Sequence, residues 1–187
     1  IIPARYASSR FPGKPLAALK LADGSRKSLI ELSWEAAKQV QGISEVYVAT
    51  DDDRIRNAAI EFGAEVIMSS SNCANGTERC AEALENAKLD ADLVINLQGD
   101  APLTPPWFIE ALIDAMRNDP TAQMATPVLQ VDPMTYGLFT EDRCNGRVGG
   151  TTAVFDRSNN ALYFSKEVLP FLQLDHLADK ADIPVYH

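Results

Sequence analysis

Cysteine, histidine and tryptophan are all scarce in this chain of 187 residues, at three, two and two copies. Cys73, Cys80 and Cys144 are too few, and odd in number, for a disulfide scaffold; they suit a reducing, cytoplasmic compartment. His176 and His187 have no Cys/His spacing that resembles a zinc site, and no nucleophile elbow is present for a Ser/His/Asp triad. No run approaches the roughly 18–20 apolar residues that span a bilayer, and the start carries no signal-peptide pattern. With 10 Gly and 11 Pro the collagen and low-complexity classes are excluded. A hydrophobic share of 46% excludes disorder as the main state and is enough for a sizeable core.

Charge is unevenly placed. The net charge is −9, yet residues 1–22 hold Arg5, Arg10, Lys14 and Lys20 and no acid, which leaves thirteen cations against twenty-six acids in the rest. A nucleic-acid binder needs a broad positive face, so none is expected as a partner. One basic loop on an acidic body suits a small anionic ligand held in one place.

Strand and helix signals alternate. Ile1-Ile2-Pro3 reads as the end of a buried strand. Ser28 with Glu31 is a capping box, followed by an apolar stripe of Leu29, Leu32, Ala36 and Val40. A strand is expected at 46–49, then a helix capped by Asp51 with Ile55, Ala58, Ala59 and Phe62 on its buried face. Further strands are expected at 64–68, 93–97 (the most apolar) and 124–129. Further helices carry Cys80, Ala83, Leu84 and Ala87, and Phe108, Leu112, Ala115 and Met116, the latter capped by Thr104. The pattern weakens over 131–150, which reads as irregular, before a ribbon pair at 151–155 and 161–164. This alternation predicts one α/β domain over 1–187 with a mainly parallel sheet. Neither end reads as complete, so a further C-terminal segment is expected. Ligands of such sheets bind beyond the carboxyl ends of the strands, which points to loops 4–15, 50–53, 69–77 and 98–104.

Those loops hold the reactive residue types. Arg5, Arg10 and Lys14 put three cations within ten residues, enough to neutralise a triphosphate, and Gly13 with small Ser residues lets backbone amides approach phosphate. Only Gly13-Lys14 matches a Walker A loop, and a solvated basic loop is the alternative. Asp100, just after the expected buried strand, offers a hard oxygen to Mg²⁺ or simply forms a turn. Gln98 is a site residue or a satisfied strand-end amide. Asn75-Gly76-Thr77 opens a helix as a ligand loop or merely as a cap. Asp51-Asp52-Asp53 reads as a helix N-terminal acid cluster rather than a metal site.

Five blocks together resemble the CMP-Kdo synthetases (3-deoxy-manno-octulosonate cytidylyltransferases). They are Pro3 to Leu16, Val48-Ala49-Thr50-Asp51, Asn75-Gly76-Thr77-Glu78-Arg79, Asn96 to Pro102, and Ala161-Leu162-Tyr163-Phe164-Ser165. The resemblance implies a Rossmann-like three-layer nucleotidyltransferase fold with a small β-ribbon excursion. It implies that CTP and an acidic eight-carbon sugar give the CMP-sugar and pyrophosphate, with Mg²⁺, in a cytoplasmic homodimer that supplies lipopolysaccharide synthesis. Carried onto this chain, Arg5, Ser8, Arg10 and Lys14 hold the triphosphate, and Asn75, Gly76, Thr77 and Arg79 read the nucleotide. Asp100 holds the metal; Lys14, Arg10 and Asp100 act in catalysis; Gln98, Tyr163, Ser165 and Lys166 face the sugar.

The chain departs from that pattern at Ala101, where Glu is frequent, at 150–154, and at Lys166, where Arg is usual and offers a bidentate fork to a carboxylate. These departures fall toward the sugar side. The alternatives are therefore another acidic sugar, such as an amino analogue, or a non-catalytic nucleotide-binding relative.

Overall fold

The computed structural model describes residues 1–7, 11–172 and 183–187. Ser8, Arg10 and His176 lie outside the described residues. The described chain groups into two compact units, 1–125 and 126–187, where the sequence pattern predicts one domain.

In the first unit, β1 (Ile2–Ala4) leads through a 3-10 turn, Lys14–Leu16, into the hairpin β2 (Ala18–Lys20) and β3 (Arg26–Ser28). Sequence periodicity missed this hairpin. Its signal is Asp23-Gly24 between short alternating runs: Gly24 takes a φ of 87°, and the Asp23 carboxylate accepts from the Ser25 amide at 2.9 Å. Helix α1 (Leu29–Lys38) starts as expected, with Ser28 Oγ accepting from the Glu31 amide at 3.3 Å. Its buried face is Ile30, Ser33 and Ala37, one residue on from the expected Leu29, Leu32 and Ala36, which sit at the half-exposed margin; the fourth expected residue, Val40 just past the helix, is buried in the core.

β4 (Tyr47–Thr50), α2 (Asp53–Glu61), β5 (Glu65–Met68), α3 (Gly76–Asn86) and α4 (Pro106–Asn118) complete this unit. α2 is capped by Asp52, which accepts from the Arg54 amide at 2.9 Å, and not by Asp51. α4 likewise begins one residue beyond expectation, with Pro105 at its cap, and buries Ile109 and Ile113 rather than Phe108 and Leu112.

β1, β4 and β5 form a parallel sheet in the order β1-β4-β5. On the free side of β1 runs the segment 93–97: the Ile1 ammonium donates to Ile95 O at 2.8 Å and Leu97 N to Ile1 O at 3.1 Å. The fully buried Ile2, Ile30, Val48 and Ile55 fill the space between sheet and helices, each worth about 1.5–3 kcal/mol of apolar burial. Segment 93–97 corrects an expectation, because it is not a regular ladder strand. Leu93, Ile95 and Leu97 turn inward while Val94 and Asn96 face out, the alternation of an edge strand with one covered face.

The second unit contains α5 (Pro133–Cys144) and the antiparallel ribbon of β6 (Thr152–Phe155) and β7 (Ala161–Ser165), the excursion the sequence predicts. The end of the chain bridges both Gln130 and Ala153 through Tyr186. The expected strand at 124–129 forms no ladder; only its last residue pairs, through Leu129 and His187 exchanging backbone bonds at 2.9 Å. Val131, Ile183 and Val185 are its core, packed by Tyr136 and Phe139 of α5. α5 stands where an irregular stretch is expected. No residue of it is fully buried, so it carries no apolar stripe; Asp132 accepting from the Thr135 amide at 2.6 Å, with Pro133 first in the helix, is its legible start.

Candidate nucleotide site

The sheet reverses direction of growth at β1: β4 and β5 lie to one side, the later segment 93–97 to the other. A crevice opens beyond the strand ends at such a switch point. Here the loop after β1 and the turn 98–100 enclose a cleft of about 500 Å³ lined by Arg5, Phe11, Lys14, Pro15, Gln98 and Asp100 among others.

Local backbone geometry aims Lys14 into it. Gly13, at φ 70°, ends the loop and starts the 3-10 turn, and its amide donates to Tyr6 O at 2.8 Å. A Cβ at Gly13 would lie 2.8 Å from Tyr6 Cε2. The Tyr6 ring is in turn covered by the Arg54 guanidinium, 3.3 Å from its centroid, and Arg54 grips Asp52 at 2.6 and 2.9 Å. The β1 loop is thus anchored on the start of α2. Gly13→Ala should lower stability by at least about 1–2 kcal/mol from the left-handed backbone alone, a fall in Tm of roughly 2–8 °C for a chain this size. Thermal unfolding followed by circular dichroism measures it.

Lys14 Nζ meets Asp100 Oδ2 at 2.5 Å, with side chains 47% and 39% exposed. Such an exposed pair contributes about 0–1 kcal/mol, so a polyanion can draw Lys14 away at little loss. Arg5 is exposed and ion-paired with no described residue. Among the described residues the cleft therefore presents a guanidinium without an ion-pair partner and an exchangeable ammonium–carboxylate pair.

The α3 loop borders the same region. Asn75 Oδ1 caps the helix at the Glu78 amide, 2.9 Å, while Glu78 Oε2 accepts from the Ala74 amide at 2.8 Å. The cap satisfies the Glu78 amide, while the Gly76 and Thr77 amides before it have no intrahelical acceptor, as at any helix N-terminus. Thr77 Oγ1 accepts from Asn96 Nδ2 at 3.3 Å, and Asn96 Oδ1 from Gln98 Nε2 at 2.8 Å. Arg79 points beneath the loop. It is 3% exposed, donates to Ser69 Oγ at 2.5 Å and Ser70 O at 3.3 Å, and faces Asp51 Oδ1 at 3.3 Å. A side chain so enclosed acts on a ligand through the loop it holds.

Glu82 braces loop 69–75 from the other side, accepting from the Ser70 amide at 2.6 Å and from Cys73 Sγ at 2.9 Å. Its carboxylate pushes the Cys73 thiol up from its ordinary value, and burial does the same for Cys80. Alkylation by iodoacetamide near neutral pH should therefore reach exposed Cys144 first and Cys73 slowly, and Glu82→Gln should speed Cys73 several-fold. Mass spectrometry of the labelled peptides reads the order.

Tyr163, Ser165 and Lys166 belong to the second unit. Tyr163 is exposed on β7, Ser165 Oγ accepts from the Glu167 amide at 3.0 Å, and Lys166 Nζ donates to Thr151 Oγ1. Within the first unit, the expected residues Arg5, Lys14, Gln98 and Asp100 come together, and Asn75, Gly76, Thr77 and Arg79 gather at the start of α3. Sequence reasoning missed Tyr6, Arg54 and Asn96. Asn96 was visible as an amide two residues before Gln98, hence on the same face of an extended segment.

The family model described as Cytidylyltransferase matches residues 1–181. This chain belongs to the cytidylyltransferase family. It is 47% identical over 171 residues to the 3-deoxy-manno-octulosonate cytidylyltransferase of Maricaulis maris, a match covering 91% of this chain and 64% of that protein. To the 8-amino-3,8-dideoxy-manno-octulosonate cytidylyltransferase of Shewanella pealeana it is 42% identical, covering 100% of this chain and 69% of the relative. The chain thus spans less than two thirds of the Maricaulis protein's length. Among solved structures, CMP:2-keto-3-deoxy-manno-octonic acid synthetase complexed with CTP superposes with a TM-score of 0.78 at 36% identity, over 99% of this chain and 70% of that one. The cytidylyltransferase fold explains the mainly parallel sheet flanked by helices. No helix among the described residues is long and apolar enough to cross a membrane.

Mg²⁺ is the cation the family resemblance implies. Among the described residues no three or more His, Cys, Asp or Glu side chains gather as a metal cage. Among the described residues that line the cleft, Asp100 is the one carboxylate. That donor set fits magnesium, which commonly takes one or two carboxylates and completes its shell with water and substrate phosphates.

Proposed function

We propose that this chain provides the nucleotide-activating chemistry of a 3-deoxy-manno-octulosonate cytidylyltransferase, joining CTP to the acidic eight-carbon sugar and releasing pyrophosphate for lipopolysaccharide synthesis. The observation that carries the reading is the Lys14–Asp100 pair beside Arg5, which is ion-paired with no described residue, in one cleft at the switch point of the sheet.

The sugar's anomeric oxygen forms a bond to the α-phosphorus, the bond from that phosphorus to the pyrophosphate oxygen breaks, and the hydroxyl proton passes to solvent. Lys14 and Arg5, with Arg10 and Ser8 from the same loop, bind the triphosphate oxygens and stabilise the charge that collects on the departing pyrophosphate. The first turn of α3, from Asn75 to Thr77, orients the nucleotide, and Arg79 holds that loop. Gln98 contacts the sugar in the cleft; for Tyr163, Ser165 and Lys166 a sugar role rests on the family resemblance alone. Asp100 would hold Mg²⁺, which neutralises phosphate charge and acts as a Lewis acid. Holding both reactants in line is the larger part of the rate gain.

A cytoplasmic homodimer completes the proposal. Three thiols outside any disulfide fit a reducing compartment, and exposed Leu162 and Phe164, on one face of β7, offer apolar surface to a second copy. Sedimentation at micromolar concentration tests the dimer.

The decisive assay is pyrophosphate release with CTP, Mg²⁺ and the sugar, each omitted in turn. Release only with all three supports the enzyme; CTP binding without any CMP-sugar supports a nucleotide sensor instead. The second reading, an 8-amino acceptor, rests on the 42% identity to the Shewanella protein, close to the 47% for the Maricaulis one. Side-by-side kcat/KM for the two sugars separates them.

A further inference from the structure

Asn96 lies outside the residues assigned above, yet it is the link between the two halves of the site. Its Nδ2 donates to Thr77 Oγ1 in the first turn of α3, and its Oδ1 accepts from Gln98 Nε2 on the cleft wall. Gln98 is held from a second side by Gly76: a Cβ there would stand 3.1 Å from Gln98 Nε2 and 3.2 Å from Oε1. The glycine thus lets the amide lie flat against the α3 turn. We propose that Asn96 is a positioning residue that fixes the orientation of the Gln98 amide and so sets the affinity for the acceptor sugar.

The chemistry follows from amide donor–acceptor polarity. An Asn or Gln amide has distinct ends, with two N–H donors and one carbonyl acceptor. With one Gln98 N–H committed to Asn96, the carbonyl oxygen and the second N–H remain for an occupant. A hydroxylated sugar acid carries O–H donors for the former and carboxylate or hydroxyl acceptors for the latter. Without Asn96 the Gln98 amide can rotate, and the site loses preorganisation rather than a direct contact. Because the other end of Asn96 rests on Thr77, the loop that orients the nucleotide also sets the group that meets the acceptor.

The inference rests on the cytidylyl-transfer reading, and the experiment separates the two. Asn96→Ala, Gln98→Ala and the double variant are compared for acceptor KM and kcat in the pyrophosphate assay. CTP Kd is measured by calorimetry without sugar, and the ¹⁵N–¹H resonances of the Gln98 side-chain amide are recorded in the full chain. Asn96→Ala should raise acceptor KM about tenfold, the effect of losing one or two ordinary hydrogen bonds. It should leave CTP Kd within about twofold and add nothing in the Gln98→Ala background, as expected for residues acting as one unit. Additive effects in the double variant, an unchanged acceptor KM, or an equal rise in CTP Kd would each overturn it, since a merely structural residue behaves in those ways. If the wild-type chain forms no product with any acceptor, the functional reading fails, and the NMR comparison decides the Asn96–Gln98 link. A shift of the Gln98 amide in Asn96→Ala sustains the positioning; an unmoved amide refutes it.

Discussion

Asp100→Ala and Lys14→Ala should each give a folded chain whose turnover falls about 10²–10³-fold, the loss seen when one preorganised charge-stabilising contact is removed. Folding survives because the Lys14–Asp100 pair is exposed on both sides and contributes about 0–1 kcal/mol. Neither side chain belongs to the core around Ile30, Val48 and Ile55. The two variants should differ in how the loss divides. Lys14→Ala removes a cation from the triphosphate, so CTP Kd rises along with the fall in kcat. Asp100→Ala removes an anion from the cleft and frees Lys14, so CTP binding without divalent cation holds or tightens while kcat falls. Calorimetry with and without Mg²⁺, beside the pyrophosphate assay, measures both. Wild-type turnover in either variant would remove the basis for the proposed function, and so would equal weakening of metal-free CTP binding in both.

The parts that reading the sequence located well are those where one local signal coincides with one tertiary outcome. Ser28 with Glu31 marks the start of α1, and the 55/59 rows of α2 are its buried face. The β1 loop and the turn at Asp100 face one cleft because a parallel sheet puts both at the strand ends. The misreadings have physical causes. Segment 93–97 is apolar enough for a central strand, but hydrophobicity does not specify how many neighbours a strand will pair with. α5 has no fully buried residue, so no stripe announces it. The stripes of α1 and α4 are displaced because residues beside the buried row are also apolar; Phe108, for instance, stacks edge-on against Trp107 at 4.2 Å rather than entering the core. Of the site, cations and acid were legible by residue type. Their supports were less so: Tyr6 under Arg54 and Asn96 on Thr77 are contacts between residues far apart in the chain, and only the local Asn96–Gln98 spacing was open to reading.

Arg79→Met should be the most destabilising single change at the site, by about 3 kcal/mol. The Arg79 side chain is 3% exposed and joins two loops: Asp51 after β4, and Ser69 and Ser70 after β5. Its removal leaves Asp51, a largely buried carboxylate whose Oδ1 already lacks a hydrogen-bond donor, with no counter-charge. The figure sits at the low end of the range for breaking a buried pair because the Asp51 side chain keeps 18% exposure to water. In a chain of this size, 3 kcal/mol lowers Tm by roughly 6–12 °C. Adding Asp51→Asn to Arg79→Met should recover part of that loss, because the double variant buries no orphan charge; the single Asp51→Asn change should be milder than Arg79→Met. Thermal unfolding of the three variants closes the cycle. If Arg79→Met instead unfolds like wild type but binds CTP weakly, the guanidinium serves the nucleotide directly rather than the loops beneath it, and the placement argued for Arg79 fails.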